Sequence, residues 1–355
     1  MMEIHHFIHQ FHQILQFLKR VLILKLLQWK INYRTTMNAT MSSENVEHFP
    51  VMLEKILSII SPQHGGTFID CTFGGGGYSK AILKYPRTDI VAIDRDIEVN
   101  SKAKNLSNKY KKRFKFINSK FSEIDKIPET KNANAIIFDL GFSMIQMKDL
   151  KRGFSFNSKG SLNMKMGLNN FNANDAINGL DKKEIELIIK YFGDEKNYKK
   201  IAHQIINKRK VKNLNTEDLV ELINKIKRKK FYSKINPSTK TFQALRIFVN
   251  NEISQLIYGL INSIKNLKDG GVLAVVTFHS IEDKIVKYFF KTYSEEKSNN
   301  SRYLPEIKNI NKKLFNLPNK KPILASNNEI FINPPSRSAK LRYVIRNNNK
   351  FFFPQ

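Results

Sequence analysis

The feature that most constrains this chain is the run Asp70-Cys71-Thr72-Phe73-Gly74-Gly75-Gly76-Gly77-Tyr78-Ser79, set between an apolar strand pattern and a helical one. Four glycines strip the junction of Cβ atoms and leave backbone amides open at a helix start, where a ligand can approach the main chain. Thr67-Phe68-Ile69-Asp70 is the strand before them. Seventeen residues after Gly77, Asp94 ends a second strand, Asp89-Ile90-Val91-Ala92-Ile93-Asp94. A carboxylate there can accept hydrogen bonds from both hydroxyls of a ribose. A tight turn alone explains a glycine run, but strand, glycines, helix, strand and acid in that order point to an open α/β sheet holding a nucleotide-like ligand.

The alternation continues with strands expected at Phe114-Lys115-Phe116-Ile117 and Asn134-Ala135-Ile136-Ile137-Phe138-Asp139, and then stops. From about Asp149 to Thr241 the pattern is helical with charged loops, as at Lys182 to Tyr191 and Glu217 to Lys229. A fully apolar fifth strand follows at Gly271 to Phe278. After a helix near Glu282 to Phe290, closing strands are expected at Pro322 to Leu324 and Leu341 to Ile345. The division this implies is an N-terminal extension at 1–44, a sheet domain in two parts at 45–148 and 244–349, and an inserted all-helical domain at 149–243.

With 355 residues, 41% of them hydrophobic, the chain can bury a large core. A single cysteine, Cys71, excludes a disulfide framework and a cysteine-rich zinc site, and points to a reducing, cytoplasmic setting. The formal charge of +29 suits a polyanion, nucleic acid ahead of a membrane surface, yet a Lys- and Asn-rich codon bias gives the same excess. Position therefore decides. Lys196 to Arg246 holds 15 basic residues against Glu217, Asp218 and Glu221. Within it, Lys225, Lys227, Arg228, Lys229 and Lys230 run into Phe231 and Tyr232, phosphate-pairing charges beside rings that stack on unpaired bases. The first 36 residues differ from the rest, with His5, His6, His9, His12, Trp29 and an apolar run, Val21 to Leu24, broken by Lys25. They form neither a secretory signal nor a membrane span, and the histidines lack the companions of a metal site. Translation from Met37 or Met41 would omit them.

Two ligand classes compete for the glycine loop. A nicotinamide cofactor needs room for a pyrophosphate, and Ser79 replaces the third small residue of that fingerprint. S-adenosylmethionine carries a sulfonium cation in place of phosphates. Asp70, Asp94 and Asp139 all fall at or near the carboxyl ends of adjacent strands, where they would repel a pyrophosphate and attract a cation. The methyl donor is the better match.

At this point the sequence resembles the bacterial 16S ribosomal RNA cytosine-N4 methyltransferases, the RsmH (MraW) family. The resemblance runs from Glu47 to Arg346 through His48-Phe49-Pro50-Val51-Met52-Leu53, the Asp70 to Ser79 loop, Ala92-Ile93-Asp94-Arg95-Asp96, Asp139-Leu140-Gly141-Phe142-Ser143 with Gln146, and Arg152-Gly153-Phe154-Ser155-Phe156. Thr239 to Ile247, Phe278-His279-Ser280-Ile281-Glu282-Asp283, Asn333-Pro334 and Arg337 to Arg342 complete it. It implies a Rossmann-like class I methyltransferase fold with the helical domain inserted after the fourth strand. It also implies that Gly76, Gly77, Tyr78, Asp94, Phe121, Asp139 and Gln146 hold S-adenosylmethionine; Phe121 is indicated by the resemblance alone. Tyr78 stands where the family has histidine, and Asn163 and Lys165 stand where it has aspartate and arginine, which removes a carboxylate and a bidentate fork from that loop.

Such an enzyme must counter the delocalisation of the cytosine N4 lone pair and aim it at the methyl group. Asp139 is the leading candidate to do so, with His279 the second catalytic candidate. The target base must leave its stack, gripped by Lys225 to Tyr232 and Arg246, so 16S ribosomal RNA or the small subunit is the expected partner, a second copy of the chain a further one, and a membrane none. Asn333-Pro334-Pro335-Ser336 resembles the base-site motif of DNA amino-methyltransferases, but it follows the fifth strand and ends in serine, so a turn entering the last strand is expected. A DNA cytosine-N4 or adenine-N6 methyltransferase and a non-catalytic ribosome assembly factor are the competing readings.

Overall fold

The first strand, β1 (Gly66–Asp70), is apolar where it is buried and ends at an acid, and each parallel partner repeats that pattern. In a computed structural model, which describes residues 50–156, 158, 160–227, 236–294 and 313–349, β1 pairs with β2 (Thr88–Asp94) on one side and β4 (Ala133–Asp139) on the other. β2 carries β3 (Phe114–Asn118), and β4 carries β5 (Leu267–Thr277), all parallel. The last long strand, β8 (Lys340–Arg346), runs antiparallel to β5 and holds the short β6 (Phe315–Asn316) and β7 (Ile323–Leu324). The order β3-β2-β1-β4-β5-β8-β6 is the class I methyltransferase arrangement implied by the sequence. Because the order reverses between β1 and β4, a crevice opens there at the carboxyl ends of the strands.

Register fixes which residues face that crevice. Asp70 is opposite Ala92 and Ile137, Asp94 is opposite Asn118, and Asp139 is opposite Val276, so the three acids end β1, β2 and β4 at one edge. The core beneath is built from Phe68, Ile90, Ala135, Ile137, Ala274 and Val276 on the sheet. Helices α1 (Leu53–Ile60), α2 (Gly77–Ile82) and α3 (Asn100–Tyr110) contribute buried faces to the same core.

After the short α4 (Met144–Lys148) the insertion is helical, as α5 (Ala173–Gly179), α6 (Lys182–Gly193), α7 (Tyr198–Arg209), α8 (Thr216–Ile226) and α9 (Thr239–Asn250). α6 begins at a capping box between Asp181 and Glu184 and buries Ile185, Ile188, Ile189 and Phe192, the helical spacing of one apolar stripe. α8 starts the same way, with Asn215 and Asp218. The expected division at 243/244 falls within α9, which buries Thr241 and Phe242 before it and Ala244 to Asn250 after it. α8 ends at Ile226, so the basic run from Arg228 to Tyr232, like residues 1–49, lies outside the described residues.

α10 (Glu252–Asn266) returns the chain to β5, and α11 (Ser280–Ser294) follows it. Asp283 of α11 holds Arg342 of β8 at 2.7 Å and Lys340 at 3.3 Å. Beyond α12 (Asn327–Ile332), Pro334–Ser338 form a single tight turn into β8, and Asn333-Pro334-Pro335-Ser336 belongs to it. No helix among the described residues is long and apolar enough to cross a membrane.

Candidate active site

The glycine loop is tied to the acids it joins. Gly74 N donates to Asp94 Oδ2 at 2.7 Å, Ser79 Oγ to Asp70 Oδ2 at 2.7 Å, and Thr72 N to Asp70 Oδ1 at 3.3 Å. Gly76 is left-handed, at φ 75°, and a Cβ on it would meet the Phe73 ring at 2.9 Å. Only glycine closes this turn. Phe73 is fixed in turn by Phe114 and Phe116 of β3, at ring separations of 5.8 and 5.3 Å.

The three acids do not share one environment. Asp70 is fully buried; burial raises its pKa and the bonds from Ser79 and Thr72 hold part of the rise back. Burial raises Asp94 to about 6, against the hydrogen bonds from the Asp96 and Gly74 amides. Its two oxygens accept those amides, at 2.9 and 2.7 Å, and each keeps a lone pair for a further donor. Asp139 is pushed well above the usual carboxylate range by burial and then by Asp70 and Glu282, and its buried Oδ1 has no hydrogen-bond partner. A native site rarely leaves such an atom unpaired. An orphaned acceptor within electrostatic reach of another acid fits a cationic ligand, so the residues present suit S-adenosylmethionine better than a pyrophosphate. Cys71, between Asp70 and the loop, is buried, and burial lifts its thiol far above the range of a reactive cysteine.

The other expected cofactor residues also make contacts within the fold. The Tyr78 hydroxyl donates to the Val51 carbonyl, and the ring is buried, so the phenol secures the N-terminal end of the described fold. Gln146 donates to Asp96 Oδ2 at 2.8 Å, and its Oε1 accepts the Ser143 amide at 3.0 Å in a capping box. Asp96 also receives Arg152 at 2.6 Å. Gly77 lies against Pro50, where a Cβ would approach to 2.8 Å. Phe121 stands just beyond β3, edge-on to Phe138 at 5.3 Å and against Gly259 of α10.

Beside β4 a second group assembles. Arg246 forms a bidentate pair with Glu252, and its guanidinium lies over the Phe142 ring at 5.0 Å. Phe142 stacks on Phe154 at 5.7 Å, and Arg152 lies over Phe154 at 5.6 Å. Arg246, expected to grip RNA, is instead buried at 9% exposure, held by the carboxylate and the ring. Glu282 is buried; against that burial, His279, Arg246 and the Phe278 amide hold its pKa below the ordinary range. Glu252, His279 and Glu282 bring one ligand atom each within 4.8 Å of one another, and the Arg246 fork already supplies the positive charge there.

Several residues that the sequence did not single out join the two groups. Arg95 bonds the carbonyls of Gly167 and Asn250 and the side chain of Asn169. Asn250, fully buried, accepts from Met166 N and Asn169 Nδ2 and donates to the Met164 and Arg246 carbonyls. The loop with the Asn163 and Lys165 departures is thus held through its backbone, and Arg152 adds a bond to the Lys165 carbonyl. The Asp94-Arg95-Asp96 and Val249-Asn250-Asn251-Glu252 stretches carried the available signal, polar residues packed against apolar helix and strand positions.

With the geometry in place, comparison with known proteins gives a family. Residues 45–347 match the model of the MraW methylase family. The chain belongs to the MraW methylase family. A Wolbachia protein from the Drosophila simulans symbiont, strain wRi, called ribosomal RNA small subunit methyltransferase H, is 42% identical over 84% of this chain and 99% of its own length. Proteins of the same name from Bartonella tribocorum and Neorickettsia sennetsu are 40% and 38% identical, each over 85% of this chain and over 90% and 97% of their own lengths. The match to the MraW methylase family spans the sheet and the helical insertion alike.

Proposed function

We propose that this chain transfers a methyl group from S-adenosylmethionine to the N4 amine of a specific cytosine in 16S ribosomal RNA of the small subunit. Membership of the MraW methylase family supports the reading, and the observation that carries it chemically is the buried, unpartnered Oδ1 of Asp139 at the end of β4. When bound, S-adenosylmethionine supplies the methyl group on a positively charged sulfur. Asp94, with a free lone pair on each oxygen, would receive the ribose hydroxyls, and Phe121 would lie beside the adenine. Gly76 and Gly77 let the ligand pass close to the main chain. Asp139 accepts a hydrogen bond from N4 and localises its lone pair. As N4 gains the methyl group it sheds a proton, which the Asp139 carboxylate would take up.

The relatives' shared name supports small-subunit ribosomal RNA as substrate, and hence the cytoplasm as the place of work. Labelled methyl donor offered with small-subunit RNA and with duplex DNA separates the main reading from a DNA methyltransferase. Mass spectrometry of that RNA from cells with and without the gene identifies the cytosine. Absence of cofactor binding by calorimetry would instead favour a non-catalytic assembly factor. Pairing of two copies, proposed as a further partnership, is read by sedimentation.

A further inference from the structure

His279 caps α11 in an unusual way. Its Nδ1 accepts the Glu282 amide at 3.4 Å, while Glu282 Oε2 accepts the amides of Phe278 at 3.0 Å and His279 at 3.4 Å. This is a reciprocal cap with histidine in the seat of serine or threonine. An accepting Nδ1 puts the ring proton on Nε2. Nε2 is buried 3.1 Å from Glu282 Oε1 and makes no hydrogen bond of its own.

The described residues therefore hold two buried polar atoms of opposite sense without hydrogen bonds, one at the end of β4 and one just beyond β5. Asp139 Oδ1 is an acceptor at the end of β4, in register with Val276 of β5. His279 Nε2–H is a donor three residues beyond Val276. Glu282 reaches both, touching His279 and acting electrostatically on Asp139. Leaving either atom unpaired costs stability, so the pair awaits a ligand edge with a donor beside an acceptor. Cytosine presents that edge, its N4 amine next to its ring N3. Uracil presents the reverse, an acceptor O4 next to a donor N3–H, and would oppose both side chains.

We infer that His279 Nε2–H donates to N3 of the target cytosine while Asp139 Oδ1 accepts from its N4, so that the two residues read the base together. The inference rests on the proposed function and adds a specificity-determining contact to it. Sites that satisfy a base by hydrogen bonds reject one that reverses them far more strongly than apolar pockets reject a change of size. Adenine offers the same donor and acceptor, and its second ring is what the cleft must exclude.

The test uses a small-subunit RNA fragment with cytidine, 3-deazacytidine or uridine at the modified position. 3-Deazacytidine keeps the amine and replaces N3 with C–H. Affinity is measured with S-adenosylhomocysteine present, and methyl transfer is measured alongside. Wild type should lose about tenfold to a hundredfold in affinity for the 3-deaza fragment, the range of one buried hydrogen bond. His279→Ala should bind the cytidine and 3-deaza fragments equally, and His279→Gln, which restores a donor, should recover part of the difference. Equal wild-type affinity for the two fragments, or a full penalty in His279→Ala with cofactor binding intact, overturns the pairing. Failure of wild type to methylate the cytidine fragment overturns the proposed function beneath it, a distinct result.

Discussion

Arg246 Nε and Nη2 meet Glu252 Oε1 and Oε2 at 2.8 and 2.9 Å, a bidentate pair that joins α9 to α10 beside the crevice. Both side chains are about nine-tenths buried, at 11% exposure each. Removing one partner of such a pair strands the other charge away from water and costs about 3–5 kcal/mol. Arg246→Ala should therefore lower stability by that amount in urea denaturation. Arg246→Lys should recover little, because an ammonium cannot supply the fork or lie flat on Phe142. Neither change should alter the salt dependence of RNA binding, since the guanidinium is not at the surface; a changed slope would return Arg246 to the RNA interface.

Asp94 gives the site a pH dependence whose sign is fixed. Burial raises its folded pKa from 3.8 to about 6, so the native state binds the proton more tightly than the unfolded chain. Its contribution to the ligand-free fold is thus fully present below the unfolded value and is lost as pH rises through about 6. In melts across that window, Asp94→Asn should gain on wild type as pH rises. Ribose recognition needs the ionised carboxylate, so wild-type affinity for S-adenosylmethionine should climb up to about pH 6 and then level off. Calorimetry on Asp94→Asn should show weaker binding without that climb.

Asp139 separates stability from turnover. Its Oδ1 is buried without a partner and its pKa lies well above the carboxylate range, so the side chain burdens the ligand-free fold. Asp139→Asn should fold and melt no lower than wild type, yet lose about a hundredfold or more in kcat, the scale of losing one preorganised polar contact to the reacting group. Single-turnover methyl transfer to small-subunit RNA measures the second effect; unchanged turnover would remove Asp139 from the chemistry.

The strand-end acids were legible in the sequence because an apolar strand that stops at an aspartate marks both the end of the strand and the edge of the crevice. Asp70, Asp94 and Asp139 needed nothing more. Tyr78, Gln146 and Arg246 were harder, since the sequence does not show that their polar atoms meet Val51, Asp96 and Glu252. Asn250 was invisible for the same reason: three of the four hydrogen bonds of its buried amide depend on a loop more than eighty residues away. The 243/244 boundary lies inside α9, and a helix gives no periodic signal of where one layer passes into the next.

The two described lysines of the basic run make opposite predictions. Lys225 is exposed and pairs with Glu221, also exposed, one turn back on α8, an arrangement worth little to stability. Lys227 holds the buried Glu195 and the Pro237 carbonyl, both at 2.6 Å, so it pins the segment after α8 to that before α9. Lys227→Ala should cost about 3–5 kcal/mol by stranding the Glu195 carboxylate. Lys225→Ala should leave the melt unchanged and, if this lysine meets a phosphate, reduce the slope of log affinity against log salt by about 0.7 to 0.9. Filter binding to small-subunit RNA over a salt series, with melts on the same preparations, tests both. A Lys225→Ala slope equal to wild type would confine phosphate contact to other residues of the insertion.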